Sequence, residues 1–520
     1  MLKAFVNCRI FDSEDTAFAI DGDRIVKTGS DEDIRAFAEE DVITDLQGMF
    51  VVPGFIDTHL HMLGLGYTLT NADLTGCRSA ADVIRVLQAH CKNLNEGDWL
   101  IGRGYNEDHF DDGSVLTKEL LDRYFPDRPA ALKRVCGHVM TVNSRTLELA
   151  GICADTECDG GRILFDSGRV EENGIAVIQE VQPRPDADAI RAYLHKAMDF
   201  CNTKGITCAA SDDFISITSD QPLVLDTFEK MSFRSDMTVR INEQCEFTDI
   251  DQFAAFLDDG YTMDVGNDLF RIGPLKLITD GSLGARTAAM SRPYHDMPSE
   301  QGYMCMDEDE IRMYTKLANK FNMGTICHAI GDEAVDKVLA VFKDEVLEGN
   351  PLHHGLVHCQ IMRPSQIAQV LKQHLSCYIQ TLFIDYDSSI LKDRAGSLLA
   401  RSSYPFRTLY EGTLTSNGSD APVETPDPIR GIQLAVTRKS LDGKSQMEPS
   451  ECLSVDQAIR SYTVKGAEQL FMDDRLGYIR EGCYADFAVI DRDIRECEPE
   501  DISKASVVCT YMNGEKVFEK

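Results

Sequence analysis

The stretch that decides the fold is Phe50-Val51-Val52-Pro53-Gly54-Phe55-Ile56-Asp57-Thr58-His59-Leu60-His61, an apolar run that ends in two histidines one residue apart. Apolar runs bounded by turn residues are typical of strands buried in a parallel sheet. Alternate residues of a strand point to the same face, so His59 and His61 can reach one point at its C-terminal end. The pair is therefore either two half-buried strand histidines or two metal ligands.

Seven further apolar segments have the same character, with helical periodicity between them. Together with Phe50 to Asp57 they predict eight strands, the others being 206–211, 238–243, 271–278, 323–327, 354–359, 376–380 and 412–416. Near-continuous apolar strands with crossover helices, eight in number, favour a TIM-like (β/α)8 barrel over an open sheet. The predicted fold class is α/β, with the functional residues at the C-terminal ends of the strands.

Other units interrupt and flank this predicted barrel, which covers 53–469. Asp57 and Ile206 are separated by several times what one crossover helix needs, so we expect an insertion at 65–181, after the first barrel strand. The sequence does not indicate the fold of the insertion. The ends of the chain, 1–52 and 470–520, alternate short strands with turns and predict one composite β-sandwich.

Composition excludes several classes of protein. The chain has 520 residues with 52 Lys+Arg and 86 Asp+Glu, a net charge of −34, which is far too acidic for general binding to nucleic acid or to an anionic membrane. The 17 cysteines include no CxxC pair, which argues against a disulfide framework and a thiolate zinc site. With no long apolar run and no signal-peptide pattern, we interpret the chain as cytoplasmic. The expected partner is a small-molecule substrate, and homo-oligomer formation is left open.

Two later histidines and one aspartate strengthen the metal hypothesis. His328 and His358 stand at the ends of predicted strands, and Asp420 follows the eighth strand. In a barrel these side chains would converge on the rim that His59 and His61 also reach. The alternative for Asp420 is a cap on the following turn, a common role for an isolated aspartate.

Lys276 lies inside the apolar strand 271–278. An ammonium about 4 Å from a dication, at an effective dielectric constant of about 20, would be repelled by roughly 8 kcal/mol. A Lys276 that faces metal ions must therefore be uncharged or converted to a carbamate, whose two oxygens could bridge two ions. The alternatives are a salt bridge to Asp280 or a side chain that extends outward.

The chain resembles the metal-dependent amidohydrolase superfamily, and within it the YtcJ-like branch that includes N-substituted formamide deformylases. The matching segments span nearly the whole chain in the family's order: Pro53 to His61, Gly205 to Thr207, Lys276, Asp280 to Ala288, His328 to Asp332, His358 to Gln360, Gly418 to Val423, Gly477, Ile479, Gly482, Ala485 and Asp486.

The resemblance implies a (β/α)8 barrel, a β-sandwich built from both termini, and one or two divalent ions, most often zinc. Carried over by position, His59 and His61 would bind the more buried metal, and His328 and His358 the second. Lys276 would be carboxylated and bridging. Asp420 would be linked to the metal and would act as the proton shuttle.

The resemblance also indicates candidate substrate-binding residues, namely His138, Glu172, Tyr105 and Gln380. Near them the chain departs from the family pattern. Cys136 stands where the family commonly has Asp, Val357 replaces a common Glu, and Thr381 follows Gln380 where Pro is frequent. These departures affect the expected substrate and leave the candidate metal ligands in place.

The predicted function is that of an amidohydrolase, which cleaves a C–N bond other than a peptide bond in a small molecule. A water activated by the metal would attack the carbonyl, with Asp420 accepting and returning its proton. A second hypothesis keeps the metal but changes the substrate to a cyclic amide, an aminated heterocycle or an ester. A third is a barrel that binds a small molecule without catalysis.

Overall fold

An eight-stranded parallel sheet forms the centre of the fold in the computed structural model, which describes residues 1–95, 97–134, 139–158, 161–172, 174–218 and 220–520. All seven strand pairs are parallel. The predicted α/β barrel is therefore confirmed. We number the barrel strands 1 to 8 in chain order: Phe55–Leu60, Ile206–Ser211, Arg240–Glu246, Phe270–Ile278, Thr325–Ala329, Gly355–His358, Ser376–Ile379 and Thr415–Asn417.

Side-chain contacts bring the first and the last barrel strand together. The hydroxyl of Thr58 lies 2.9 Å from that of Ser416 and donates to the carbonyl of Asn417 at 3.0 Å. Gly418, directly after strand 8, runs so close to strand 1 that a Cβ there would lie 2.6 Å from the backbone nitrogen of His59. The carboxyl ends of strands 1 and 8 therefore meet, and this places the segments that follow them side by side.

Helices follow or connect the barrel strands, as the periodicity predicted. Many begin with an aspartate whose side chain accepts from a backbone N–H of the first turn, such as Asp220, Asp249 and Asp307. From the helix that precedes barrel strand 2 onward, the helices are Ala187–Thr203, Gln221–Phe233, Ile250–Asp258, Glu308–Lys320, Asp332–Glu345, Pro364–Lys372, Ile384–Asp387, Leu391–Ala400, Phe406–Gly412, Pro428–Thr437, Val455–Ser461 and Val464–Gln469.

The first predicted strand, Phe50 to Asp57, is two strands in the structure. Phe50–Pro53 pairs with Phe487–Ile490 outside the barrel, and Phe55–Leu60 is barrel strand 1. The break falls at Gly54, where a Cβ would lie 2.0 Å from Thr207 Oγ1. A continuous apolar run does not reveal this break, because both halves are buried on both sides.

Segments from both ends of the chain form two further sheets. One contains, in spatial order, Arg24–Gly29, Ala17–Asp21, Leu2–Val6 and Ile43–Asp45. The other contains Arg9–Ile10, Phe50–Pro53, Phe487–Ile490, Val507–Met512 and Glu515–Glu519. Aromatic rings meet between the two sheets: the ring centroids of Phe5 and Phe487 lie 5.1 Å apart, and those of Phe18 and Phe487 lie 5.0 Å apart. Helix Asp31–Phe37 covers part of the first sheet.

The chain between barrel strands 1 and 2 contains a second compact unit, Gly66–Ala189. It has a six-stranded sheet with the spatial order Gly161–Leu164, Arg169–Glu172, Val139–Val142, Ala130–Arg134, Leu100–Tyr105 and Ala72–Asp73. Its helices are Ala80–Cys91, Lys118–Tyr124, Ser144–Leu149 and Gly174–Glu180, and helix Met62–Thr70 leads into it. The unit has its own apolar core, around Leu87, Leu100 and Leu132.

A buried ion pair ties barrel strand 3 to the C-terminal segment. Arg240 Nε lies 2.7 Å from Asp486 Oδ2, and both side chains are at most 2% exposed. Replacing Asp486 by alanine leaves the guanidinium buried without its charge partner, so we expect a loss of about 3–5 kcal/mol in stability. Denaturant unfolding of the full chain measures this.

Asp474 offers a matched control for that variant, because its ion pair with Arg475 at 2.9 Å is largely exposed to solvent. Asp474→Ala should change stability by less than about 1 kcal/mol. Equal losses for both variants would show that burial does not determine the contribution of Arg240–Asp486.

In the described part of the chain, no helix combines the length and the apolar character needed to cross a lipid bilayer.

Candidate metal centre

His59 and His61 reach the same point from the end of barrel strand 1, with ring centroids 5.5 Å apart. Each ring is held through Nδ1. His59 Nδ1 lies 2.6 Å from Gln244 Oε1, and His61 Nδ1 lies 2.7 Å from the backbone oxygen of Asp212. Both partners are acceptors, so each Nδ1 carries a proton and each Nε2 is the ring nitrogen that a metal ion would use.

Asp420 completes a group of three candidate ligands. Its Oδ1 lies 3.5 Å from His59 Nε2 and 3.3 Å from His61 Nε2, and the three candidate ligand atoms are all within 4.8 Å of one another. The residue has a left-handed φ of 59°, and its N–H donates to the carbonyl of His59 at 2.7 Å. Two imidazoles and one carboxylate are donors that suit a divalent transition metal.

The electrostatics of these residues agree with a cation site. Burial lowers the pKa of His59 well below its ordinary value, so the imidazole is neutral at pH 7, as metal ligation requires. Burial by itself also lowers the pKa of His61, but the hydrogen bond to Asp420 and nearby carboxylates raise it to about 9. A proton thus bridges His61 and Asp420 where a cation would bind to both.

His358, at the end of barrel strand 6, lies beside His59 with ring centroids 5.5 Å apart. Its Nδ1 lies 2.8 Å from Gln380 Oε1, which leaves Nε2 as the available donor. Burial lowers its pKa well below the ordinary value, so this ring is neutral too. Gln380 is itself buried, and the structure gives it a positioning role towards His358. A contact between Gln380 and substrate stays a prediction.

His328, on barrel strand 5, lies beside His358 with ring centroids 4.4 Å apart. Its Nε2 contacts the carbonyl of Gly281 at 3.0 Å and Asp280 Oδ1 at 3.3 Å, so Nδ1 is its available donor. Asp280 is anchored in turn by the backbone N–H groups of 289, 330 and 331. His328 therefore lies next to His358, which in turn lies next to His59.

Lys276 is buried on barrel strand 4, at 1% exposure, and its Nζ lies 3.4 Å from Asp212 Oδ2. The partner is Asp212, so the alternative of a salt bridge between Lys276 and Asp280 is wrong. Asp212 also holds His61 through its backbone oxygen. Its other carboxylate oxygen, Oδ1, is buried and has no hydrogen-bond partner in the described part of the chain. Such an orphaned oxygen points to a missing proton, water or cation.

Sequence reasoning missed Asp212 and Gln244. Asp212 directly follows barrel strand 2, just as Asp420 follows strand 8. The rule that selects acidic residues after the ends of barrel strands could therefore have found Asp212. Gln244 lies within strand 3, and its amide nitrogen also donates to the carbonyl of Thr58 at 3.0 Å. A single buried glutamine in a strand carries no sequence signal for this role.

Three predicted substrate-binding residues belong to the inserted chain. Tyr105 is buried in the core of the second unit, with its hydroxyl 2.9 Å from that of Thr141. Glu172 is exposed at the end of strand Arg169–Glu172. His138 lies outside the described residues, as does Cys136. Their roles towards substrate stay predictions.

The Gln244 contact gives a testable consequence. Gln244→Met keeps the size of the side chain but removes the acceptor that fixes the His59 ring, so we expect metal affinity to fall about 10- to 100-fold. Competition with a chelator measures the affinity. Gln433→Met is the control, because Gln433 is also buried but accepts from Ser503 N at 2.8 Å, outside the centre. Equal affinities for Gln244→Met and wild type would contradict the positioning role.

Comparison with known proteins agrees with this geometry. The family model described as amidohydrolase family matches residues 42–518. The chain belongs to the amidohydrolase family. This confirms the family resemblance seen in the sequence, and it makes the centre described above the candidate active site of a hydrolase that uses a divalent metal.

Several known proteins are similar to this chain over nearly its whole length. YtcJ of Bacillus subtilis (strain 168) is 33% identical over 486 residues, 91% of this chain and 90% of that protein. The N-substituted formamide deformylase of Arthrobacter pascens is 24% identical over 539 residues, 99% of this chain and 97% of that protein. A crystal structure of an uncharacterized metal-dependent hydrolase from Pyrococcus horikoshii has a TM-score of 0.80 and 25% identity, covering 96% of this chain and 99% of that one.

Proposed function

We propose that this amidohydrolase cleaves an amide-type C–N bond, other than a peptide bond, in a small molecule, with Asp420 as the proton shuttle. The observation that carries the proposal is the place of Asp420 Oδ1, 3.3 Å from His61 Nε2 and 3.5 Å from His59 Nε2. A carboxylate at a cation site can both bind the ion and exchange a proton with a reactant beside it. The name of the Arthrobacter pascens relative, a formamide deformylase, supports an amide-type substrate.

The group of three candidate ligands fits a divalent ion, and we propose that the centre binds one or two. His59, His61 and Asp420 would hold one, and His328 and His358 would supply donors to a second. Imidazole and carboxylate donors of this kind suit zinc, which we propose as the metal. A divalent ion there would supply Lewis acidity and would lower the pKa of a bound water to about 7.

The chain's own groups then have distinct tasks. Gln244, Gln380 and the backbone of Asp212 fix the orientation of three imidazoles. Asp420 Oδ1 takes the proton of the attacking water and donates it to the leaving nitrogen. The hydrogen bond from Asp420 N to the carbonyl of His59 keeps the carboxylate at this position through both transfers.

Lys276 is proposed to be carboxylated in the metal-loaded protein. Its Nζ, an ammonium in the ion pair with Asp212, would lose two protons as it forms a bond to the carbon of CO2, while one C–O π bond of CO2 opens to leave an anionic oxygen. This converts a buried cation into an anion with two ligand oxygens. Nuclear magnetic resonance of protein equilibrated with ¹³C-bicarbonate should show a carbamate signal that is absent from Lys276→Met. A wild-type spectrum without this signal would contradict carboxylation and favour the ion pair with Asp212.

The proposed function is tested by metal analysis and by a substrate panel. Purified protein should contain a divalent metal and should hydrolyse N-formyl or N-acyl amines. The panel also includes cyclic imides, aminopurines and esters, which the same centre could accept. If the protein hydrolyses only those compounds, the proposal of an N-formyl or N-acyl amine as substrate is overturned. A folded, metal-loaded chain that turns over nothing in the panel would favour a binding function.

A further inference from the structure

A large cavity is lined by residues between Met290 and Ser402. Its volume is about 820 Å³, in the range of sites for small organic molecules. The lining segments follow barrel strands 4, 5, 6 and 7, the end of the barrel where ligand sites are built. None of the residues that line it is a candidate metal ligand.

The charge of this cavity is unusual for so acidic a chain. Four arginines and one aspartate, Asp332, line it, an excess of three positive charges on a protein with a net charge of −34. The carboxylate of Asp332 is already engaged, by the backbone and hydroxyl of Ser291 and by Arg363 at 3.2 Å. It therefore leaves no free negative charge for Arg292 and Arg401.

Two of the four arginines have structural ion pairs and two do not. Arg363 pairs with Asp332 and Asp336, and Arg394 pairs with Asp296. Arg292 and Arg401 are exposed, and neither forms an ion pair with the described residues. The paired arginines shape the wall, while the two others are available to an incoming anion. Guanidinium groups are the preferred partners of carboxylates because of their planar, two-pronged geometry.

The rest of the wall is apolar. Met290, Pro293, Leu398 and Leu399 line it, and the side chain of Leu398 is 82% exposed to solvent. An inorganic ion would leave most of the cavity unfilled and would not cover these groups. A ligand with an anionic end and a short hydrocarbon chain would use both parts, since the chain buries apolar surface while the anion meets the arginines.

We propose that this cavity binds a small aliphatic carboxylate, with the carboxylate at Arg292 and Arg401 and the hydrocarbon chain against Pro293, Leu398 and Leu399. The proposal does not rest on the proposed hydrolytic reaction. It adds a second ligand site at the same end of the barrel.

Calorimetric titration of the full, metal-loaded chain with sodium hexanoate tests the proposal. Hexanoate should bind, and the double variant Arg292→Gln/Arg401→Gln should bind it about 10-fold more weakly or worse. Ala395→Phe places a ring into the cavity wall and should weaken binding by exclusion, without a change in charge. Arg234→Gln is the matched control, because Arg234 is exposed and does not line the cavity.

Two further probes separate the parts of the site. Hexan-1-ol lacks the charge and inorganic phosphate lacks the chain, so both should bind more weakly than hexanoate. Absence of hexanoate binding to the wild type, or equal affinity in the double variant, would overturn the proposal. Equal affinity in the double variant would also be the result if hexanoate bound only to the metal centre. Equal binding of phosphate and hexanoate would overturn the assignment of the hydrocarbon chain.

Discussion

Replacing Asp420 with asparagine is expected to lower kcat about 100- to 10,000-fold, the usual contribution of a general acid–base group. Asparagine has nearly the same shape and keeps one oxygen near His59 and His61, so the two histidines and the remaining ligands should still retain metal. It has no carboxylate, however, to accept the proton at Oδ1. Steady-state kinetics measures kcat, and elemental analysis of the same preparation measures the metal content.

Asp493→Asn is the control for this variant. Asp493 is buried to the same degree, 7% exposed against 8% for Asp420, but it pairs with Arg495 far along the chain from the barrel strands. Its substitution should leave kcat unchanged. Undiminished turnover by Asp420→Asn would refute the shuttle. Loss of metal together with turnover would show that Asp420 acts mainly as a ligand.

Replacing His59 with alanine should remove the metal itself. His59 is 1% exposed, and its Nε2 is one of three donors within 4.8 Å of one another. Loss of a partner that merely orients a ligand already weakens binding about 10- to 100-fold, so loss of the ligand should weaken it at least about 100-fold. Turnover should fall to background. Metal content after dialysis and the metal-induced rise in Tm measure the effect.

His195→Ala is the matched control for His59→Ala. His195 lies on helix Ala187–Thr203, is 37% exposed, and contacts Asp236 at 3.2 Å. This variant should keep its metal, its turnover and its metal-dependent Tm. Full metal retention by His59→Ala would contradict the centre as described, whatever its effect on turnover.

Much of the fold could be predicted because the barrel strands are buried on both faces and read as apolar runs. Strand 2 has the predicted bounds, Ile206–Ser211, and other strands differ by a few residues at their ends. The break at Gly54 could not be predicted. It depends on the approach of Thr207, a residue more than 150 positions away, and distances between remote segments have no local sequence signal.

The candidate centre could be predicted in part for the same reason. His59, His61, His328, His358 and Asp420 all stand at strand ends, where the barrel topology alone brings side chains together. The partner of Lys276 could not be predicted, since Asp212 and Asp280 both follow barrel strands, after strands 2 and 4. Side-chain direction decides between them, and the structure selects Asp212.

By itself, the sequence determined the order of strands and helices, the acidic character of the chain and the chemistry of the possible ligands, because periodicity, composition and residue type are local properties. Tertiary structure alone decided that Asp420 meets both histidines of strand 1, that Gln244 and Gln380 fix imidazole rings, and that four arginines surround one cavity. These are distances between segments remote in sequence, and closure of the barrel and packing of its loops set them.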